Sequence, residues 1–326
     1  MKIKNLFFNL PVAQLAQEHP INYFDIGSRG GFQEDLFPIA FSVNAVGFEP
    51  EVIALEKLRN KESDPWLTVN FLPFGISGKG GVRNLYITKD PASSSLLKHN
   101  IELGKKFNKP QFFELDRVEK IETRTLKEGL IAANTGTIDY LKIDIEGVEL
   151  EVFKSSSLLL DNVLAIKTEV SFVEFRKNQP LASDVDSFLT SLGFILMDFQ
   201  QPAKWRREGY VVHPYTANET PSYSRGQIVQ GDYLYFRSPE TLNNNPESLV
   251  KLALLFMAFG YFDHSKMILD MHSVENYLVK RYGKKSLDYV NPASLKYGQH
   301  IFFRNLYRTF RSLVPLIRYG KNILRT

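Results

Sequence analysis

The sequence predicts an α/β fold: a doubly wound, largely parallel sheet with an α-helical C-terminal region. Three observations carry that expectation. Short runs rich in Val, Ile, Phe and Tyr recur between residues 21 and 237, and several are apolar almost throughout, as strands covered on both faces are. Helix-like segments separate them, the alternation of a βαβ chain. After residue 238 the strand pattern stops.

In order, the strand candidates are 21–27 (INYFDIG), 41–50 (FSVNAVGFEP), 67–77 (LTVNFLPFGIS), 139–147 (DYLKIDIEG), 163–170 (VLAIKTEV), 193–199 (GFILMDF) and 231–237 (GDYLYFR). Helices are expected over 51–60, 148–160 and 182–193, the last with Ser183 as its cap and Gly193 at its close. Two further strands, 82–88 and 117–126, flank a polar stretch over 89–111. A loop of that length is either a lid over a ligand or unstructured. Residues 245–283 read as two or three helices with a turn at 260–263, a single helical hairpin without a second copy. The expected division is a helical lead-in over 1–20, a main domain over 21–238 and a helical extension over 239–326, packed on the main domain as an appendix.

Of the 326 residues, 44% are hydrophobic and 23% charged, which excludes disorder of the whole chain. The absence of Cys excludes disulfides, thiolate metal sites and a Cys nucleophile. Asn9 and Pro11 interrupt the short apolar stretch near the start too early for a secretory signal. No 18-residue uncharged apolar run is present. The expected compartment is the cytoplasm, with contact at the inner face of a membrane as a further option.

The net charge of +4 is unevenly placed. Arg304, Arg308, Arg311, Arg318, Lys321 and Arg325 lie in residues 301–326 without one acid, so the first 300 residues carry a formal −2. Phe303, Leu306, Phe310, Leu313 and Ile317 recur there at helical spacing, with Arg304, Arg308 and Arg311 on another face; Pro315 is expected to end or kink the helix. Such a helix can dock on its own domain, lie on an anionic membrane surface or meet another protein. A nucleic-acid partner is not expected, because the body is slightly acidic and no Asn/Asp-Pro-Pro-aromatic motif follows the fourth strand.

Three sites carry chemistry. The first is the turn Asp25-Ile26-Gly27-Ser28-Arg29-Gly30-Gly31, built for close approach of backbone to ligand at a strand end. Arg29 and Phe32 stand where a dinucleotide fingerprint needs glycines, and no P-loop is present, which disfavours a nicotinamide-dependent oxidoreductase. The second is Glu49, ending its strand about 20 residues past a glycine turn, where an acid can accept hydrogen bonds from a ribose. The third is Asp144 and Glu146, two residues apart and so on one face of a strand, with Glu169 ending the next run. Three carboxylates there can hold a divalent cation such as Mg2+, or orient an acceptor hydroxyl or amine. Glu146 and Glu149 can alternatively just favour the next helix N-terminus.

Together the DIGSRGG turn, the VGFEP strand end, the LKIDIEGVELEVFKS block and the following KTEVSF resemble the FkbM-type family of S-adenosylmethionine-dependent methyltransferases; SSSLL (93–97) is also similar. The resemblance covers roughly residues 21–200. It implies a class I methyltransferase sheet of seven strands, closed by an antiparallel hairpin that includes 226–237. It implies O-methylation of a small molecule or glycan. By position, Asp25, Gly27, Ser28 and Gly30 would lie at the methionine end of the cofactor and Glu49 at its ribose, with Gly75, Ile76 and Ser77 near the adenine. Arg29 would meet the cofactor carboxylate or point outward. For a hydroxyl acceptor, His213 and His99 join Asp144 and Glu146 as candidate bases, and Trp205 and Tyr210 are candidate stacking faces for a sugar. A catalytically silent cofactor-binding domain that recruits partners is the alternative.

Overall fold

The computed structural model describes residues 3–60, 64–207 and 225–323. In chain order its strands are β1 (Ile21–Ile26), β2 (Val43–Phe48), β3 (Thr68–Leu72), β4 (Gly75–Ile76), β5 (Gly81–Thr88), β6 (Leu115–Arg124), β7 (Tyr140–Ile143), β8 (Ala165–Ser171), β9 (Phe194–Trp205) and β10 (Gln227–Arg237). The helices are α1 (Val12–Glu18), α2 (Val52–Arg59), α3 (Ile101–Phe107), α4 (Leu126–Ala132), α5 (Glu149–Ser155), α6 (Ser157–Leu160), α7 (Ala182–Ser191), α8 (Pro246–Phe259), α9 (Phe262–Leu269), α10 (His272–Tyr282) and α11 (Ser286–Ile323).

Seven strands form the main sheet in the order β3-β2-β1-β7-β8-β10-β9. All neighbours are parallel except β10, which runs antiparallel to both β8 and β9. This Rossmann-like sheet with a closing antiparallel hairpin is the expected fold. The strand order reverses between β1 and β7, the position where an open α/β sheet leaves a crevice at its carboxyl edge.

The expected strand over 67–77 is two strands in two sheets. β3 ends before Pro73, and β4 joins β6 and β5 in a separate three-stranded sheet. Proline has no N–H for a ladder, so the run breaks there. The polar stretch 89–111 is neither open nor unstructured. It carries a bridge between Tyr86 and Ser95 and the helix α3, whose Phe107 joins Phe113, Phe175 and Val229 in a small core. Asn100 caps α3 by accepting from Leu103 N. The N-cap position of α7 is Leu181 rather than Ser183, and Asp184 in the first turn reaches back to accept from Leu181 N at 2.8 Å. Gly193 follows the helix with φ +82°, as its position suggested.

Strand alternation sends neighbouring residues to opposite faces of the sheet. Phe24, Val46, Leu141, Ile143, Ile166 and Tyr235 meet α4, α5, α6 and α7. Tyr23, Val43, Ala45, Tyr140, Leu234 and Phe236 meet α1, the 3-10 segment Glu34–Ser42 and α8. The C-terminal region is therefore one wall of the main core rather than an outer appendix. Asn245 caps α8 by accepting from Glu247 N and Ser248 N at 3.0 and 3.3 Å, and Gly260 closes it with φ +90°. Between those ends Leu252 to Ala258 are all buried, and Phe256 stacks on Phe236 with centroids 4.0 Å apart. A helix apolar on all sides needs cover on all sides; α9, α10 and the start of α11 supply the second layer.

α11 runs 38 residues and continues through Pro315, where an end or kink was expected. Its first four turns dock through Tyr289, Val290, Ala293 and His300, all buried, and Tyr297, whose ring meets Phe262 edge-on at 5.5 Å. From residue 302 to 311 every residue is exposed.

Candidate active site

The glycine turn follows β1 directly. Gly31 N donates to Ser28 O at 2.7 Å, closing it tightly, and Gly27 and Gly31 have φ +87° and +89°. A Cβ on Gly27 would lie 1.9 Å from Asp144 O, so only glycine fits between this turn and the end of β7. A Cβ on Gly30 would meet nothing within 4 Å. Arg29 forms an ion pair with Glu51 at 2.7 Å on the cavity rim.

β2 delivers Glu49 to the same edge. Its carboxylate is buried, accepts from Glu51 N at 2.8 Å and is pushed above the usual carboxylate range by burial. Pro50 follows and ends the ladder.

The acidic residues are brought together by a turn rather than by strand alternation. β7 stops at Ile143; Glu146 and Gly147 then take φ +62° and +115°. Left-handed backbone at a non-glycine residue costs about 1–2 kcal/mol and persists where its surroundings impose it. Here the Glu149 carboxylate accepts from Ile145 N at 3.0 Å and from Gly147 N at 3.1 and 3.0 Å, and Ser95 Oγ donates to Glu146 O at 2.7 Å. Glu149 thus shapes the turn at the start of α5, whereas Glu146 is turned back over the sheet edge.

Asp144, Glu146 and Glu169 each present an oxygen within 4.8 Å of the others. Arg176 pairs with Glu146 and also donates to Ser93 O at 3.2 Å; Gln230 Nε2 donates to Glu169 Oε1 at 3.0 Å. Lys142 Nζ, almost fully buried, lies 3.1 Å from Asp25 and 3.5 Å from Asp144. Burial and the Glu146 and Asp144 charges hold Glu169 well above the ordinary carboxylate range. Burial pushes Glu146 up to about 7, against the pull of Arg176. Burial alone would lower the Lys142 ammonium, but the Asp25 and Asp144 carboxylates outweigh it and raise it. Burial together with the crowding of charge thus makes Glu146 and Glu169 harder to ionise than free carboxylates.

These elements surround one cavity of about 690 Å3 at the carboxyl edge, within the roughly 300–1,000 Å3 of small-molecule sites. Gly27, Gly30, Glu49, Ile76, Asp144, Glu146 and Glu169 all line it. Phe48, Pro50, Leu85 and Ile121 make an apolar wall, and Pro91, Ala92, Ser94 and Leu96 of the polar 89–111 segment border it.

Other sequence-predicted positions lie elsewhere. Asp25 is buried beneath the cavity, held by Lys142 and by the Tyr23 hydroxyl at 3.2 Å. Ser28 Oγ turns into the sheet and donates to Phe48 O at 3.2 Å. Ser77 Oγ donates to Lys79 O at 2.6 Å inside the second sheet. His99 is buried off the cavity, its Nε2 2.8 Å from Ser93 O and its basicity lowered by burial. Trp205 packs among Phe107, Phe112, Phe113 and Phe175 as part of a core, not as an open stacking face. His213 and Tyr210 lie outside the described residues.

Arg176, Lys142 and Gln230 were not singled out from sequence. Lys142 had a signal, a cation inside an apolar strand two positions before an acid; Arg176 and Gln230 reach the site only through tertiary packing.

Sheet order and closing hairpin are those of the Rossmann-like methyltransferase fold. The family profile described as "Methyltransferase FkbM domain" matches residues 25–196, just over half of the chain. The protein belongs to the FkbM methyltransferase family. A comparison with curated proteins gives no match.

Proposed function

We propose that the protein transfers a methyl group from S-adenosylmethionine to a hydroxyl of a saccharide or other small polyhydroxylated acceptor. The observation that carries this reading is the single cavity in which a buried strand-end carboxylate, Glu49, lies on one side and the Asp144–Glu146–Glu169 cluster on the other. The residues fit the cofactor. Glu49 suits a ribose diol, the open space at Gly30 admits the amino-acid end, and the Phe48, Ile76 and Ile121 wall suits the adenine.

When bound, the cofactor supplies a sulfonium-activated methyl group. The protein's part is chiefly positioning, which can contribute on the order of 7–11 kcal/mol. Asp144 and Glu169 orient the acceptor hydroxyl, and the ionised Glu146 carboxylate accepts its proton. A base tuned near 7 is suited to that task and typically contributes about 10²–10⁴-fold. Arg176, beside Glu146, limits how far burial suppresses its ionisation. The second sheet and residues 91–96 border the site on one side.

A second reading, a divalent cation held by the same three carboxylates, is favoured by their spacing. Against it, Arg176 and Gln230 already donate to two of them. Calorimetric titration with S-adenosylhomocysteine, with and without magnesium, tests both. Micromolar binding followed by S-adenosylhomocysteine release with saccharide acceptors supports the proposal. No binding removes it, and a magnesium requirement replaces the free carboxylates with the cation.

A further inference from the structure

Between residues 295 and 311, α11 presents an apolar stripe that the described residues leave exposed. Leu295, Phe302, Phe303, Leu306 and Phe310 are between 42% and 66% exposed. At 3.6 residues per turn they share one side of the helix, while the docked residues Tyr289, Val290, Ala293, Tyr297 and His300 share another, about 140° away. Leu295 is the informative position: it is exposed although the helix is docked on either side of it in sequence, at Ala293 and Tyr297. The stripe therefore faces away from the body before the helix leaves it. Folding back on this domain would not cover it without rotating α11 off its seat.

Charge narrows what does cover it. Arg304, Arg308 and Arg311 occupy the opposite side of the helix, all exposed, and residues 301–326 contain no acid. The segment is therefore amphipathic, apolar on one side and basic on the other, and its uncompensated positive charge draws it to an anionic layer. Residues 301–311 extend roughly 16 Å along the helix axis. Helices of this make-up lie at the boundary between headgroups and acyl chains, with the apolar side buried about 5–10 Å deep. No helix among the described residues is long and apolar enough to cross a membrane, so contact by this helix is peripheral.

We infer that the exposed half of α11 docks the enzyme on an anionic membrane surface, with Phe302, Phe303, Leu306 and Phe310 in the interface and Arg304, Arg308 and Arg311 on the outer side of the helix, where their charge is attracted by the anionic headgroups. The full chain should float with phosphatidylcholine vesicles that contain phosphatidylglycerol and remain behind with phosphatidylcholine alone, and added salt should weaken binding. At about fivefold per charge, the triple variant Arg304→Ala, Arg308→Ala, Arg311→Ala should lose about 100-fold in partitioning. The triple variant Phe302→Ser, Phe303→Ser, Phe310→Ser should also lose binding, with the melting temperature of both variants unchanged because all six positions are exposed. Equal binding to both vesicle types, or to neither, overturns the inference. So does a dimer, seen by light scattering, that the Phe302/Phe303/Phe310 variant dissolves, because a second copy would then be the cover.

Discussion

The two faces of the main sheet are covered by different kinds of sequence. One face packs on α4, α5, α6 and α7, all within the residues that match the family. The other packs on the 3-10 segment Glu34–Ser42, inside the match, and on α1 and α8, both outside it. Burial does not distinguish them: Phe153 of α5 and Leu254 of α8 are equally inaccessible. The difference teaches that a family match marks the residues shared with relatives, not the residues needed to close the core. Here part of the cover on one face comes from helices that carry no family signature.

The strongest way to break this comparison is to remove α8 to α11. A chain ending at residue 238 leaves Tyr23, Tyr140, Leu234 and Phe236 facing water and should show no cooperative thermal transition; a soluble, cooperatively melting fragment would make the helices dispensable. Within the full chain, Phe256→Ala should cost about 3–5 kcal/mol in chemical denaturation, the range for a buried phenylalanine, and Phe153→Ala should cost as much from the opposite face. A clearly smaller loss at Phe256 would mean the two faces are not equivalent. At the sheet edge, which both faces support, the expectation reverses. Glu146→Gln should reduce turnover by about 10²–10⁴-fold while S-adenosylhomocysteine affinity stays near the parent value, and equal losses in both would place Glu146 against the cofactor. Glu49→Ala should produce the smallest effect, a loss of about 1–3 kcal/mol in cofactor affinity through missing charge-assisted hydrogen bonds. Unchanged affinity would take Glu49 out of the site.

Much of this was legible in the sequence because β1, β2, β7 and β8 are buried on both faces and so read as apolar runs, and because Glu49 and Asp144 follow their strands directly. What was not legible depends on direction or on distant partners. Ser28 sits in the glycine turn, yet its hydroxyl bonds to Phe48 O, a choice set by the neighbouring strand. Trp205 looked available for a sugar, but it is half-buried against Phe107, Phe112 and Phe113 from one stretch of chain and Phe175 from another. The break at Pro73 was visible as a residue but not as a change of sheet, since nothing local says that β4 pairs with β6. Asp144 and Glu146 converge, although through a left-handed turn pinned by Glu149 rather than by strand alternation.

The contact between Gly27 and Asp144 O constrains how this protein can change. On the proposed reading, the loop that serves the methyl donor and the loop that serves the acceptor touch with no room for one added carbon, so neither can be remodelled alone. A lineage acquiring a new acceptor then has to leave that joint intact and vary elsewhere. The 91–96 segment is tied to the acidic turn through Ser95, whereas the second sheet borders the same cavity through Leu85 and Ile121, and on that reading it is where new acceptor preference can arise while the grip on the donor stays the same.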